Sequence, residues 1–69
     1  MINNLKQLRE DKNMRQYDLA QEAGISRSYY TMIENGKKKP SPKVAKRIAK
    51  ILNFDWTIFY AWISYLKLH

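Results

Sequence analysis

Gly24 sits between two short amphipathic runs, and it restricts the fold more than any other residue in the chain. Upstream, Leu19, Ala20 and Ala23 recur at helical spacing, which predicts a helix over about 16–23. Downstream, Ser26 is a good N-cap for a helix over about 27–34. Gly24 permits the positive φ of a sharp turn, Ile25 is apolar and plugs the corner, and Ala20 is small where a neighbour must come close. Tyr30 and Ile33 then face inward from the second of the two helices. This is a helix-turn-helix pattern, whose second helix is free to lie in a DNA major groove. The Ala-x-x-x-Gly spacing alone fits about as well a helical hairpin that only packs.

The flanking punctuation adds three more helices. Ile2, Leu5 and Leu8 give an amphipathic helix over about 2–12, stopped by Asn13, a residue that tolerates the left-handed conformation. Asn35-Gly36 breaks the chain again. Ser41-Pro42 starts a helix carrying Val44, Ile48, Ile51 and Leu52, which runs to about Asn53. Asp55 caps a last helix through about Leu66. The whole is one all-α domain over residues 1–69, with neither repeat nor linker.

Charge then points to the partner. The 69 residues carry 13 Lys+Arg against 6 Asp+Glu, a net charge of +7, and such an excess suits a polyanion. Seven cations (Lys37, Lys38, Lys39, Lys43, Lys46, Arg47 and Lys50) lie between Asn35 and Phe54, where no acidic residue stands. A run of this kind reads as a one-signed surface patch, where a lone Lys triplet would be an ordinary solvated loop. The absence of cysteine and a single histidine exclude a disulfide scaffold, a thiol nucleophile and a Cys- or His-built metal site. No Gly-rich phosphate loop, paired carboxylates or activated nucleophile is present, so neither an enzyme nor a cofactor is expected. No apolar run reaches the roughly 18 residues of a membrane span, and the N-terminus has no apolar signal region. The expected location is the cytoplasm.

The stretch RQYDLAQEAGISRSYYTMIENGKKKPSPKVAKRIAKILNFD resembles the phage repressor and Cro type of helix-turn-helix domain, the XRE-like family. Gln16 opening the second helix, the run LAQEAGIS, the closing IENG, the basic loop ending in Pro40-Ser41 and the final AKILNFD match in order and spacing. Leu5 to Arg9 resembles the family's first helix, so the likeness covers about residues 2–60. It implies a compact five-helix, lambda-repressor-like bundle that binds double-stranded operator DNA, usually as a dimer. By the same resemblance Arg27, Ser28, Tyr29 and Met32 face the bases from the third helix. Gln16, Thr31, Asn35 and the loop Lys37, Lys38 and Lys39 face phosphates, and Arg9 pairs with Glu34. For Arg27 a phosphate contact weighs nearly as much as base reading, and Met32 fits a partly buried rim as well.

Two residues depart from the pattern. Arg15 stands where the family places a Ser or Thr N-cap, and a cation there opposes the helix dipole, with Asp18 a partial compensation. A local rule broken on the binding face suggests that Arg15 contacts phosphate. Tyr30 stands where Ile or Val is usual and is expected in the core.

The aromatic end completes the expectations. Trp56, Phe59 and Ile63 form one stripe of the last helix and close the core. Ile58, Trp62 and Tyr65 form a second stripe, with Leu66 nearby. A helix apolar on two faces needs two partners, which predicts a symmetric homodimer through those four residues. Folding of that stripe back on the first helix is the competing expectation. The function expected is a small Cro-like repressor from a phage, mobile element or bacterial chromosome, with a restriction-modification controller close behind. The alternative is an antitoxin or other protein-interaction module that also binds DNA. Membrane-surface binding is disfavoured, because the last helix offers only Lys67 as a cation.

Overall fold

In the computed structural model, which describes residues 5–59, every regular element is a helix. These are α1 (Leu5–Asp11), α2 (Gln16–Ala23), α3 (Arg27–Glu34) and α4 (Pro42–Leu52). Residues 56–59 begin a further helical segment.

All four helices stop in the same way, on a residue with positive φ: Asn13 at 57°, Gly24 at 71°, Gly36 at 76° and Asn53 at 62°. At each stop the next residue's N–H reaches a carbonyl of the preceding helix. The bonds are Met14 to Arg9 (3.2 Å), Ile25 to Ala20 (3.0 Å), Lys37 to Met32 (2.8 Å) and Phe54 to Ala49 (2.9 Å). This geometry satisfies carbonyls that would otherwise be orphaned, and only Gly or Asn adopts it cheaply. The starts are equally local. Ser26 Oγ accepts the N–H of Tyr29, and Ser41 Oγ accepts that of Val44.

The core is built from Leu5, Leu19, Ala20, Ala23, Tyr30, Ile33, Ala45, Ile48, Leu52 and Phe59, all buried. Ile25 packs against it from the turn, and Leu8, Val44, Ile51 and Trp56 close its edges. Helix α2 packs on both α3 and α4, so the helix-turn-helix unit rests on α4 as on a base. Small Ala20 and Ala23 permit that approach. Tyr30 takes its expected place in the core.

Helix α4 separates its residues sharply. At about 100° per residue, Lys43, Lys46, Arg47 and Lys50 fall together on the side opposite buried Ala45, Ile48, Ala49 and Leu52. Two of these cations also have partners within the fold. Arg47 Nη1 donates to the Ala23 carbonyl at the end of α2 (3.4 Å), and Lys46 Nζ lies 4.9 Å from the Trp56 ring centroid.

Ile58 is 44% exposed, on the segment whose Phe59 is buried. Trp62, Ile63, Tyr65 and Leu66 lie outside the described residues.

Candidate nucleic-acid interface

Helix α3 presents a polar face to solvent because its apolar residues fall on the other side. Arg27, Ser28, Thr31 and Met32 project together and, with Gln16 from the start of α2, line one shallow surface depression. The two short helices and the Gly24 turn set this arrangement, bringing the N-terminus of α2 alongside the outer face of α3. Arg27 and Ser28 are exposed, whereas Thr31 and Met32 are half-buried.

One side chain is placed differently from expectation. Tyr29 does not project with Arg27 and Ser28. It is half-buried and packs against the core, because it falls about 60° beyond Met32, on the flank next to Ile33. Thr31 lies beside Arg27, Ser28 and Met32 on the outward face of α3.

Behind this surface is a buried polar cluster centred on Glu34. Arg9 grips the carboxylate from α1, with Nε 2.9 Å from Oε1 and Nη2 3.3 Å from Oε2. A third guanidinium nitrogen donates to the Met14 carbonyl (2.8 Å), tying the α1–α2 connection to the same group. The Tyr30 phenol donates to Oε1 (2.7 Å), and Gln16 Nε2 donates to Oε2 (2.7 Å). Gln16 Oε1 in turn accepts from the Thr31 hydroxyl (3.2 Å). Burial alone would raise the Glu34 pKa. The hydrogen bonds from Arg9, Gln16 and Tyr30, with the Arg9 charge, outweigh it and hold the carboxyl below its ordinary value. The Tyr30 phenol is pushed up, first by burial and then by its bond to Glu34.

The Arg9–Glu34 contact follows the family resemblance, but the roles of Tyr30, Gln16 and Thr31 in it were not foreseen. The four-residue step from Tyr30 to Glu34 was the available signal, since it stacks the phenol and carboxylate on one helix face.

At the start of α2, Arg15 is exposed and its guanidinium is engaged twice by Asp18, with Nε 3.0 Å from Oδ2 and Nη2 3.1 Å from Oδ1. Asp18 Oδ2 also accepts the Arg15 N–H (2.9 Å), the half of a capping box that an acidic third residue can supply. The bond that a Ser or Thr cap would accept from the first turn is not made by Arg15, and Asp18 compensates only in part, from inside the helix. These bonds hold the Asp18 carboxyl below its usual range.

The basic loop begins on α3 itself. The N–H groups of Lys37 and Lys38 both reach the Met32 carbonyl, at 2.8 and 3.2 Å. Asn35, Lys37, Lys38 and Lys39 are exposed, and buried Pro40 anchors the far end of the loop. Among the described residues no His, Cys, Asp or Glu group is arranged to hold a metal ion. Nor is any helix there long and apolar enough to cross a membrane.

Comparison with known proteins gives the same picture. The helix-turn-helix family model matches residues 5–59. YqaF of Bacillus subtilis strain 168, an uncharacterized HTH-type transcriptional regulator, is 54% identical over 56 residues, covering 81% of this chain and 74% of that protein. The ImmF control region 10 kDa protein of Bacillus phage phi105 is 39% identical over 54 residues, covering 78% of this chain and 60% of that protein. An HTH-type regulator of the archaeon Methanocaldococcus jannaschii is 48% identical over 50 residues, covering 72% of this chain and 76% of the relative.

Proposed function

The chain belongs to the helix-turn-helix family of transcriptional regulators, non-enzymatic DNA-binding proteins, and from that premise we propose a small Cro-like repressor that binds a pseudo-palindromic operator as a homodimer. The observation that carries this reading is the shared surface of Gln16, Arg27, Ser28, Thr31 and Met32. It joins a helix N-terminus suited to phosphate with an exposed helix face suited to base edges. Likeness to a phage control-region protein favours a repressor from a phage or mobile element, acting in the bacterial cytoplasm.

Arg27, Ser28 and Met32 contact base edges, with Tyr29 at the margin of that face. Arg27 opens α3, and its guanidinium fork suits guanine O6 and N7. Gln16, Arg15, Asn35, Lys37, Lys38 and Lys39 contact the sugar–phosphate backbone and set register without reading sequence. Arg15 must exchange its Asp18 partner for phosphate or share it. The dimer forms through Ile58, Trp62, Tyr65 and Leu66, and exposed Ile58 supports this. Two-fold symmetry then sets the reading helices one DNA turn apart, roughly 34–36 Å.

Random-site selection with the purified protein tests the reading directly, and an inverted repeat is the expected product. Sedimentation of the wild type and Trp62→Ala at micromolar concentration tests the dimer. A wild-type monomer, or a Trp62→Ala protein that stays fully dimeric, contradicts the interface.

A further inference from the structure

Gln16 lies between two partners of fixed polarity. The Glu34 carboxylate is ionised and only accepts, so it must face the amide nitrogen of Gln16, 2.7 Å away. The amide oxygen therefore faces Thr31, and there only the Thr31 hydroxyl has a proton to give. The donation runs one way, from Thr31 to Gln16 to Glu34. Two consequences follow at the surface. Gln16 keeps its second amide hydrogen, a donor suited to phosphate. Thr31 has used its one hydroxyl proton and keeps only lone pairs.

A threonine hydroxyl on a reading helix ordinarily serves as donor or acceptor, and so discriminates poorly between bases. Here the internal bond removes one option. Thr31 lines the same surface as Arg27, Ser28 and Met32. We propose, on the DNA-binding reading above, that Thr31 is a specificity-determining acceptor that selects adenine or cytosine on the strand it faces. In the major groove adenine offers the N6 amine and cytosine the N4 amine, whereas guanine and thymine offer O6 and O4. An oxygen with no proton left attracts the first pair and repels the second. The same accounting removes Thr31 from the phosphate ligands, because a phosphate oxygen needs a donor. Ser28 is not bonded into the cluster and carries no such bias.

Random-site selection with wild type, Thr31→Val and Thr31→Ser tests this. Valine keeps the shape and loses the oxygen, while serine keeps the oxygen and tests the idea even where valine disturbs folding. We expect one position per half-site at which the wild type and Thr31→Ser favour adenine or cytosine by about fivefold, the factor that 1 kcal/mol gives. At that position Thr31→Val should lose the preference. Thr31→Val should also weaken binding to every sequence by a few fold, because Gln16 is then held by Glu34 alone. The proposal is overturned if Thr31→Val changes overall affinity but no base preference, or if the preference lost is for guanine or thymine. A wild type that selects no sequence defeats the DNA-binding reading itself, and this proposal with it.

Discussion

Tyr30 and Glu34 meet one helical turn apart on α3, where the phenol donates a 2.7 Å hydrogen bond to the carboxylate. The bond turns an unusual core residue into part of the cluster that joins α1, α2 and α3. Arg9 and Glu34 are nearly inaccessible, with side chains 9% and 4% exposed, so neither charge has water as a substitute partner. Removing one partner therefore leaves an uncompensated charge.

Glu34→Gln should cost roughly 3–5 kcal/mol. That compares with a total stability on the order of 3–10 kcal/mol for a chain of this size. Tyr30→Phe should cost less, about 1.5–3 kcal/mol, the worth of a hydrogen bond to a charged group. Each kcal/mol lowers Tm by about 4–8 °C in a domain this small. Thermal melts of the two variants check the order. A Tyr30→Phe protein as stable as wild type would mean that the phenol bond contributes nothing.

Acid should weaken the fold through the same group. The Glu34 carboxyl is held below its ordinary value of 4.5, so the unfolded chain binds its proton first as pH falls. Its contribution is complete above that ordinary value and is lost as pH drops through the depressed folded value. Asp18 and Asp55 are lowered as well, so wild type and Glu34→Gln must be compared. Urea melts between about pH 7 and pH 3 should show a steeper loss in the wild type. Equal slopes would contradict the assignment.

Gly24→Ala should destabilise by about 1–2 kcal/mol, the left-handed penalty for a residue with a Cβ. Its φ is 71°, and an added Cβ would lie 3.4 Å from Arg47 Nη1, which caps α2 at Ala23. Chemical denaturation measures this, and an unchanged midpoint would show that the turn relaxes freely.

The helix boundaries were legible because local residues carry them: Asn13, Gly24 and Asn53 as stops, Ser26 and Ser41 as starts. The outward residues of α3 came from the family resemblance, whereas helical periodicity, about 100° per residue, was the signal that could have placed Tyr29 on the flank. The tertiary partners of polar side chains were not. Nothing local says that Gln16 would reach Glu34 across the α2–α3 packing, or that Arg47, counted in a basic patch, would cap α2. These depend on which helices approach and how closely. The partial compensation by Asp18 was visible, since a carboxylate three residues into a helix can reach back to the N–H at its start.

Salt should control DNA affinity strongly. If about 4–6 cations per protomer neutralise phosphates, the log–log slope for a dimer should be about −7 to −11. Lys38→Ala should make it shallower by about 1–2 per dimer and weaken all sequences alike. A wild-type slope shallower than about −3 would contradict the basic-loop assignment.

The central claim is that the outer face of α3 reads base sequence. The direct measurement is the affinity of wild type and Arg27→Ala for the selected operator and for unrelated DNA of equal length at one salt concentration. Arg27→Ala should lose roughly 1–3 kcal/mol on the operator and little on unrelated DNA, so the gap between them narrows. An equal loss on both would make Arg27 a phosphate clamp and would contradict the reading face.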